Sequence, residues 1–409
     1  MRRLEEPIAV TGVGACFNLG HDKAALFDAI RRGVGGNFVV EPIAVEKEAR
    51  CQIIGRYPGD LTDEALGIDR KAGRFMGRSA RLAWRAAEQA IAEAGVDRTQ
   101  LAVVVGSGAG DVETHIDIQR RTEAGGMRKV GPTVIPKLMS STVSANLVSG
   151  LGATGPSVTA AAACAGGAWN VILAATLLDS GHADVALAGG VEVWDPHFHA
   201  GFDSMRAYNS EDNANPARAS RPYAADRAGF VMGEGAGMLV LERWSRAKAR
   251  GAAVHGLILG FGMSSDGTGD MVAPTPDGPR RAMLQALAHA GVDPADVGYV
   301  NTHGTSTPAG DVSEVKAIRE VFGPRMPAYS STKGSTGHTI SAAGALEAIF
   351  TLQMLQGGWL APSFGAEPLD PELVETPPVL VPTNADLRIA LSNSFGFGGT
   401  NASLVLGRA

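Results

Sequence analysis

Two segments far apart in the chain share one design. TAAAACAGGAWNVILAATLL, Thr159–Leu178, and PAYSSTKGSTGHTISAAGALEAIFTLQML, Pro327–Leu355, each run from a short strand through a turn of small residues into an apolar helix. The first turn carries Cys164, the second His338. The first helix is long enough for a bilayer, but Ala and Gly add little transfer free energy, Asn170 sits in its middle, and no Lys/Arg asymmetry or aromatic belt flanks it. A buried helix is the reading that remains. The repeated unit divides the 409 residues into similar halves, Met1–Arg250 and Gly251–Ala409. Strands such as IAVTGVG, LAVVVGSG and VALAGGV alternate with amphipathic helices such as SARLAWRAAEQAIAEAG, which predicts an α/β fold. The break follows LERWSRAKARG with no low-complexity linker, so the halves are expected to share a core.

Charge narrows the partners. The net charge is −6, and the 36 basic residues are scattered without a Lys/Arg block, which argues against nucleic acid. The start, MRRLEEPIAVTGVG, has no apolar stretch before a small-residue cleavage site, so a cytoplasmic protein is expected. Cys16, Cys51 and Cys164 are an odd count without a CxxC pair, which fits neither a disulfide framework nor a zinc site.

Cys164 falls where a strand turns into a helix. Unpaired N–H groups and the helix dipole there favour a thiolate by about 0.3–2 kcal/mol, which predicts a lowered pKa. Small neighbours leave room for a thioester, although close helix packing selects the same residues. In VNTHGTSTPAGDVSEVKAI, Val300–Ile318, His303 follows a strand, and a helix is expected from Asp311. Together with Cys164, His303 and His338 make a candidate Cys-His-His set for nucleophilic and proton-transfer chemistry. LSNSFGFGGTNASLVLG, Leu391–Gly407, is glycine-rich, but a strand-like run follows it where a dinucleotide loop needs a helix; it offers backbone N–H groups to an oxyanion. His197 and His199 share a face if extended, but lack a third ligand, and no metal centre is expected from them.

Cys164 in AAACAGGA, His303 in NTHGTSTPAGD, Lys333 and His338 in STKGSTGH, and Phe397 in NSFGFGGTN together resemble the motif set of the β-ketoacyl-[acyl carrier protein] synthases. RASRPYAADRAGFVMGEGAGMLVLE, SSDGTGDMVAPTPDG and IDRKAGRFM match as well, so the resemblance spans nearly the whole chain, and it is strongest to the elongating bacterial synthase I/II group. It implies a thiolase-like fold, two βαβαβαββ halves related by a pseudo-twofold in an αβαβα arrangement, and homodimerisation. It implies decarboxylative Claisen condensation with malonyl-acyl carrier protein in type II fatty-acid or related polyketide elongation, with no cofactor beyond the phosphopantetheine on the carrier.

Carried over by position, Cys164 is the acyl-accepting nucleophile, and His303 and His338 face the malonyl thioester carbonyl. The N–H groups of Cys164 and Phe397 form the oxyanion hole, and Phe397 also gates the acyl pocket. Lys333 and Glu314 hold the histidines by hydrogen bonds and charge pairing, and Thr305 and Thr307 contact pantetheine. Arg70, Lys71, Arg74, Arg128 and Lys129 are candidates for docking an acidic carrier, alongside Arg120 and Arg121, which otherwise read as a solvated face. A structural monovalent cation is implied near Asn301, Glu347, Ser392 and Asn393. Ala109 and Ala162, small where relatives are larger or carry Thr, are expected to shape a permissive acyl pocket, with Trp169 and Asn170 at its floor. Two rivals remain at this stage. A degradative thiolase needs a second catalytic cysteine, and none follows Cys164. A chain-length-factor-like partner usually lacks the nucleophile that is present here.

Overall fold

The computed structural model describes residues 2–409, and among these ten strands form one sheet. In chain order they are β1 (Ile8–Phe17), β2 (Ala102–Ser107), β3 (Ser157–Val158), β4 (Val185–Glu192), β5 (Gly235–Arg243), β6 (Gly256–Ser265), β7 (Tyr299–Asn301), β8 (Ala328–Ser330), β9 (Ile389–Gly396) and β10 (Thr400–Gly407). Their spatial order is β8-β7-β9-β10-β6-β1-β5-β4-β2-β3. Read outward from the β6–β1 junction, both sides follow one plan. The first strand of a half pairs antiparallel with its last, the last antiparallel with the fourth, the fourth parallel with the second, and the second parallel with the third. The halves meet where Ile8–Val10 pair antiparallel with Gly256–Ile258.

Helices supply the remaining layers. α1 (Arg78–Ala94) lies on β1 and β5, and α2 (Thr142–Leu151) lies beside it on β2. α4 (Asp277–Ala290) covers β6 and β10, and α5 (Pro308–Phe322) packs on α4. Between the two sides lie α3 (Gly166–Asp179) and α6 (Ala343–Gly357), which touch each other and strands of both halves. The result is the five-layered αβαβα body of a thiolase-like fold. The inner pair is apolar around its circumference because it has protein on every side; α1, covered on one face, keeps Arg81, Arg85 and Glu88 away from the core. Outer helices approach very closely: a Cβ on Gly12 or Gly14 of β1 would strike the Ala90 or Ala86 carbonyl of α1. Gly260 and Gly262 of β6 stand in the same relation to Ala290 and Ala282 of α4.

Some local expectations change. α5 begins at Pro308, where a proline suits the first helical position, and Asp311 lies inside its first turn. His197 and His199 lie on a helix, Pro196–Ser204, and share no extended face. His197 is exposed beside Asp195, while His199 is buried, bonded to Trp194 Nε1 at 3.1 Å and to the Cys51 carbonyl at 2.8 Å. No described helix is long and apolar enough to cross a membrane.

Candidate active site

The two inner-helix turns bring the chemistry together. Cys164 sits in a 3-10 turn, Ala163–Ala165, that runs straight into α3. Ala163 before it has φ of 46°, a conformation rare for a residue with a side chain, and this sharp bend presents the sulfur to a cavity of about 520 Å3. His303, from the loop after β7, and His338, from the loop before α6, line the same cavity, with ring centroids 5.2 Å apart and planes at 84°. Thr305, Thr307 and Phe397 are on its wall too, and the two threonine hydroxyls lie 3.0 Å apart. Phe397 follows β9, with its ring centroid 6.1 Å from that of Phe202. Gly396 before it is dictated by contact, since a Cβ there would lie 3.1 Å from the Cys164 nitrogen and 3.0 Å from the Ala162 carbonyl.

The backbone of His303 is clamped from both sides. Its N–H donates to Glu314 at 2.9 Å, the next N–H, of Gly304, donates to the other oxygen of the same carboxylate at 2.8 Å, and the His303 carbonyl accepts from Lys333 Nζ at 2.5 Å. Glu314 accepts also from Asn393. The charge partner of Lys333 is Glu347 of α6. Burial pushes the carboxyls of both Glu314 and Glu347 up to about 7. Burial and the Lys333 charge hold both imidazoles well below 6.5, His303 with a further contribution from His338, so both rings are neutral at pH 7.

The thiol departs from expectation. Burial pushes Cys164 from the usual 9.0 up to about 12, against the pull of Lys333 and of the Phe397 and Cys164 N–H groups. A rise of that size is worth about 4 kcal/mol, whereas a helix N-terminus supplies at most about 2. At neutral pH burial holds the sulfur as a thiol. Iodoacetamide alkylation of Cys164, followed by intact mass, is therefore expected to quicken about tenfold per pH step from pH 7 to 10; levelling-off below pH 9 would show that burial does not dominate.

Other expected residues lie off this cavity. Ala162 is buried, and its carbonyl accepts from Thr400 Oγ1 at 3.2 Å. Ala109 turns its N–H to Glu192 at 3.3 Å. Asn170 bonds the Ala160 N–H and the Gly189 carbonyl, so it ties α3 to its strands instead of flooring a pocket, and Trp169 packs at the edge of the core. Arg70, Lys71 and Arg74 are exposed on and after the short helix Arg70–Gly73, and Arg128 and Lys129 are exposed in the turn Met127–Lys129. None of the five lines the cavity. Cys16 and Cys51 are buried elsewhere, so no second thiol faces Cys164 across it. The sequence reading did not single out Phe202, Phe230, Arg206 or Met271 as part of the wall. Phe230 and Met271 fall in the matched segments RASRPYAADRAGFVMGEGAGMLVLE and SSDGTGDMVAPTPDG, whereas Phe202 and Arg206 lie outside them and reach the cavity through the fold.

Polar atoms left without partners lie among the residues implied for a cation. Asn301 Oδ1, Glu347 Oε2 and Ser392 Oγ are buried with no hydrogen-bond partner. Neutral and carboxylate oxygens of this kind suit a hard cation. Asn393 does not join them, because its amide oxygen accepts from Ser403 and its nitrogen donates to Glu314. Among the described residues no group of three or more His, Cys, Asp or Glu is placed to hold a metal ion.

Comparison with known proteins gives this geometry its relatives. Residues 5–247 match the model of the beta-ketoacyl synthase N-terminal domain, and residues 255–367 that of the C-terminal domain. The chain belongs to the beta-ketoacyl synthase family. It is 40% identical over 409 residues to 3-oxoacyl-[acyl-carrier-protein] synthase 1 of Haemophilus influenzae, covering 98% of each chain. It is 36% identical over 411 residues to synthase 2 of Staphylococcus aureus, covering 97% of each. A beta-ketoacyl synthase from Burkholderia phymatum superposes with a TM-score of 0.91 at 34% identity, over 99% of this chain and 100% of that one. The ishigamide ketosynthase/chain length factor does so with a TM-score of 0.87 at 27% identity, over 99% of each.

Proposed function

We propose that this chain is a β-ketoacyl-[acyl carrier protein] synthase that extends an acyl chain by decarboxylative Claisen condensation in fatty-acid elongation. The observation that carries the reading is one cavity holding a buried cysteine, two neutral imidazoles and the N–H groups that face the sulfur. In the first half-reaction Cys164 Sγ attacks the acyl thioester of a carrier and gives up its proton, for which the imidazoles on the same wall are available bases; the carrier leaves as its free thiol. In the second, malonyl carrier loses CO2, and the electron pair passes into an enolate whose oxygen accepts hydrogen bonds from His303 and His338. Neutral donors suit that oxygen, whereas a carboxylate in their place would repel it. The enolate carbon attacks the acyl-enzyme carbonyl, the N–H groups of Cys164 and Phe397 take up the oxyanion, and Cys164 sulfur leaves and is reprotonated. Because the acyl group rests on the enzyme between two carriers, ping-pong kinetics follow.

Thr305 and Thr307 are assigned to the pantetheine arm, and Phe397 with Phe202 to the mouth of the acyl channel. The acidic carrier is assigned to Arg70, Lys71, Arg74, Arg128 and Lys129, with Arg206, exposed on the cavity rim, as the guanidinium best placed to meet it. A homodimer acting in the cytoplasm fits the same reading. Asn301, Glu347 and Ser392 would hold a monovalent cation, which supplies charge to balance Glu347 and takes no part in bond making.

The test is intact-mass spectrometry. Incubation with acyl carrier protein loaded with chains of graded length is expected to add one acyl mass at Cys164. Later addition of malonyl carrier is expected to remove it and to yield a β-ketoacyl carrier two carbons longer. An enzyme that takes up no acyl group refutes the proposal, and one that acylates but never extends points to a non-catalytic partner of another synthase.

A further inference from the structure

The repeat that builds Cys164's turn builds it twice. In the second half Ile340 has φ of 45°, matching 46° at Ala163, and lies in a 3-10 turn, Ile340–Ala342, that leads into α6 as Ala163–Ala165 leads into α3. A β-branched residue in the left-handed region is a genuine outlier. The residue after it, Ser341, therefore stands where Cys164 stands in the first half.

What fills the space around Ser341 differs from what surrounds Cys164. At Cys164 the strand that ends beside the turn is β9, and it ends in Gly396, leaving the N–H groups free to face the cavity. At Ser341 the corresponding strand is β4, and it ends in Glu192, which is 1% exposed. Oε2 of Glu192 accepts from the Ser341 N–H at 3.3 Å and from the Gly108 N–H at 2.8 Å. Oε1 accepts from Ser107 Oγ at 2.9 Å and from the Ala109 N–H at 3.3 Å. The second turn thus has its amide donors filled by an internal carboxylate. Small residues make the seat: a Cβ on Gly108 would come 2.6 Å from Glu192 Oε2, one on Gly166 2.4 Å from Ser341 Oγ, and one on Gly190 2.2 Å from the Ser341 carbonyl.

This seat lies three residues beyond His338. On its other side His338 is fixed by its N–H to the Val231 carbonyl at 2.7 Å and by its carbonyl to the Gly233 N–H at 3.0 Å. The strained Ile340 between His338 and Ser341 needs a hold on the far side as well, or the turn relaxes and carries the imidazole with it. Glu192 supplies that hold and ties it to the loop after β2.

We infer that Glu192 is a positioning residue for condensation: a carboxylate seated in the second copy of the nucleophile turn, it anchors Ser341 to the Ser107–Ala109 loop and so fixes His338 in the cavity it shares with Cys164. The inference rests on the function proposed above and adds a residue that touches no substrate. Gln at this position keeps the shape but turns one oxygen into an N–H2 group, which cannot accept from the donors facing it.

The test compares wild type with Glu192→Gln in the two half-reactions separately. Cys164 acylation is expected to stay within about 3-fold of wild type, while kcat for extension with malonyl carrier falls about 10²-fold, the effect of a displaced catalytic group, with KM for that carrier little changed. Wild-type extension by Glu192→Gln, or loss of both half-reactions in equal measure, overturns the inference. Should that variant not fold, Ser107→Ala removes one of the four donors; a several-fold loss confined to extension supports the anchor, and no loss sinks it. A wild-type enzyme that acylates and extends while both variants match it leaves the proposed function standing and removes only Glu192's part.

Discussion

Cys164→Ala is expected to take no acyl group from any acyl carrier, and to extend chains at least about 10⁴-fold more slowly than wild type. The size follows from what the substitution removes. Without the sulfur the two half-reactions can no longer be separated, so the enolate must meet a second carrier thioester that is not tethered in the cavity beside it, and the advantage of a pre-positioned acyl group is lost. The substitution should leave the rest of the site as it is. Cys164 is small and buried, the strained Ala163 and the start of α3 are set by backbone and packing, and the imidazoles are held by Glu314 and Lys333 and through His338's own backbone bonds. Release of CO2 from malonyl carrier should therefore persist in Cys164→Ala, since that step needs His303 and His338 and not the sulfur. Mass spectrometry for the acyl adduct and labelled CO2 release read the two outcomes independently. An acyl adduct in the alanine enzyme would mean another residue is the nucleophile, and loss of CO2 release along with extension would mean that the imidazoles do not act alone.

Much of this site could be read from the sequence because its parts are local. Each catalytic side chain sits in a turn of its own, and the strand, the small residues and the following helix lie within about twenty positions of it. The resemblance then joined turns that are far apart. What escaped depended on contacts between distant segments. The glycines after Cys164 suggested room for a thioester, yet Gly166 and Gly167 are small because Ser341 of the other half lies against them. The helix end suggested a thiolate, but burial outweighs it, and the sequence does not report burial at one atom. Lys333 and Glu314 were expected to hold the histidines; Lys333 reaches His303 by the backbone carbonyl, and its charge partner is Glu347, the lone charged residue of its helix, which the expectation had named only for a cation. Ala109 was expected to shape the acyl pocket, and what no sequence pattern announced is that its backbone N–H donates to Glu192, more than eighty positions away.

The Lys333–Glu347 pair leads to the second large effect, Lys333→Met. Both side chains are almost wholly buried, and Glu347 has one oxygen on Lys333 and the other without a partner. Taking away the ammonium leaves a buried carboxylate without its side-chain charge partner, which costs about 3–5 kcal/mol if the charge stays. Burial already pushes Glu347 up to about 7, so it will take up a proton instead, and the loss will be smaller at pH 6 than at pH 8. The sign follows from linkage: a carboxyl whose folded pKa exceeds its unfolded value binds protons more readily when folded, so the folded form loses stability as pH rises through that range. Lys333→Met/Glu347→Gln should recover most of the stability, as measured by urea unfolding, because both members of the pair are then neutral. It should not recover extension. The His303 carbonyl still lacks its donor, and the positive charge that helps hold both imidazoles well below 6.5 is gone, so their pKa values rise. In the double variant the acid limb of the extension profile should accordingly move to higher pH than in wild type. A double variant that is stable and extends with a wild-type profile would place Lys333 in the scaffold and remove it from the catalytic site.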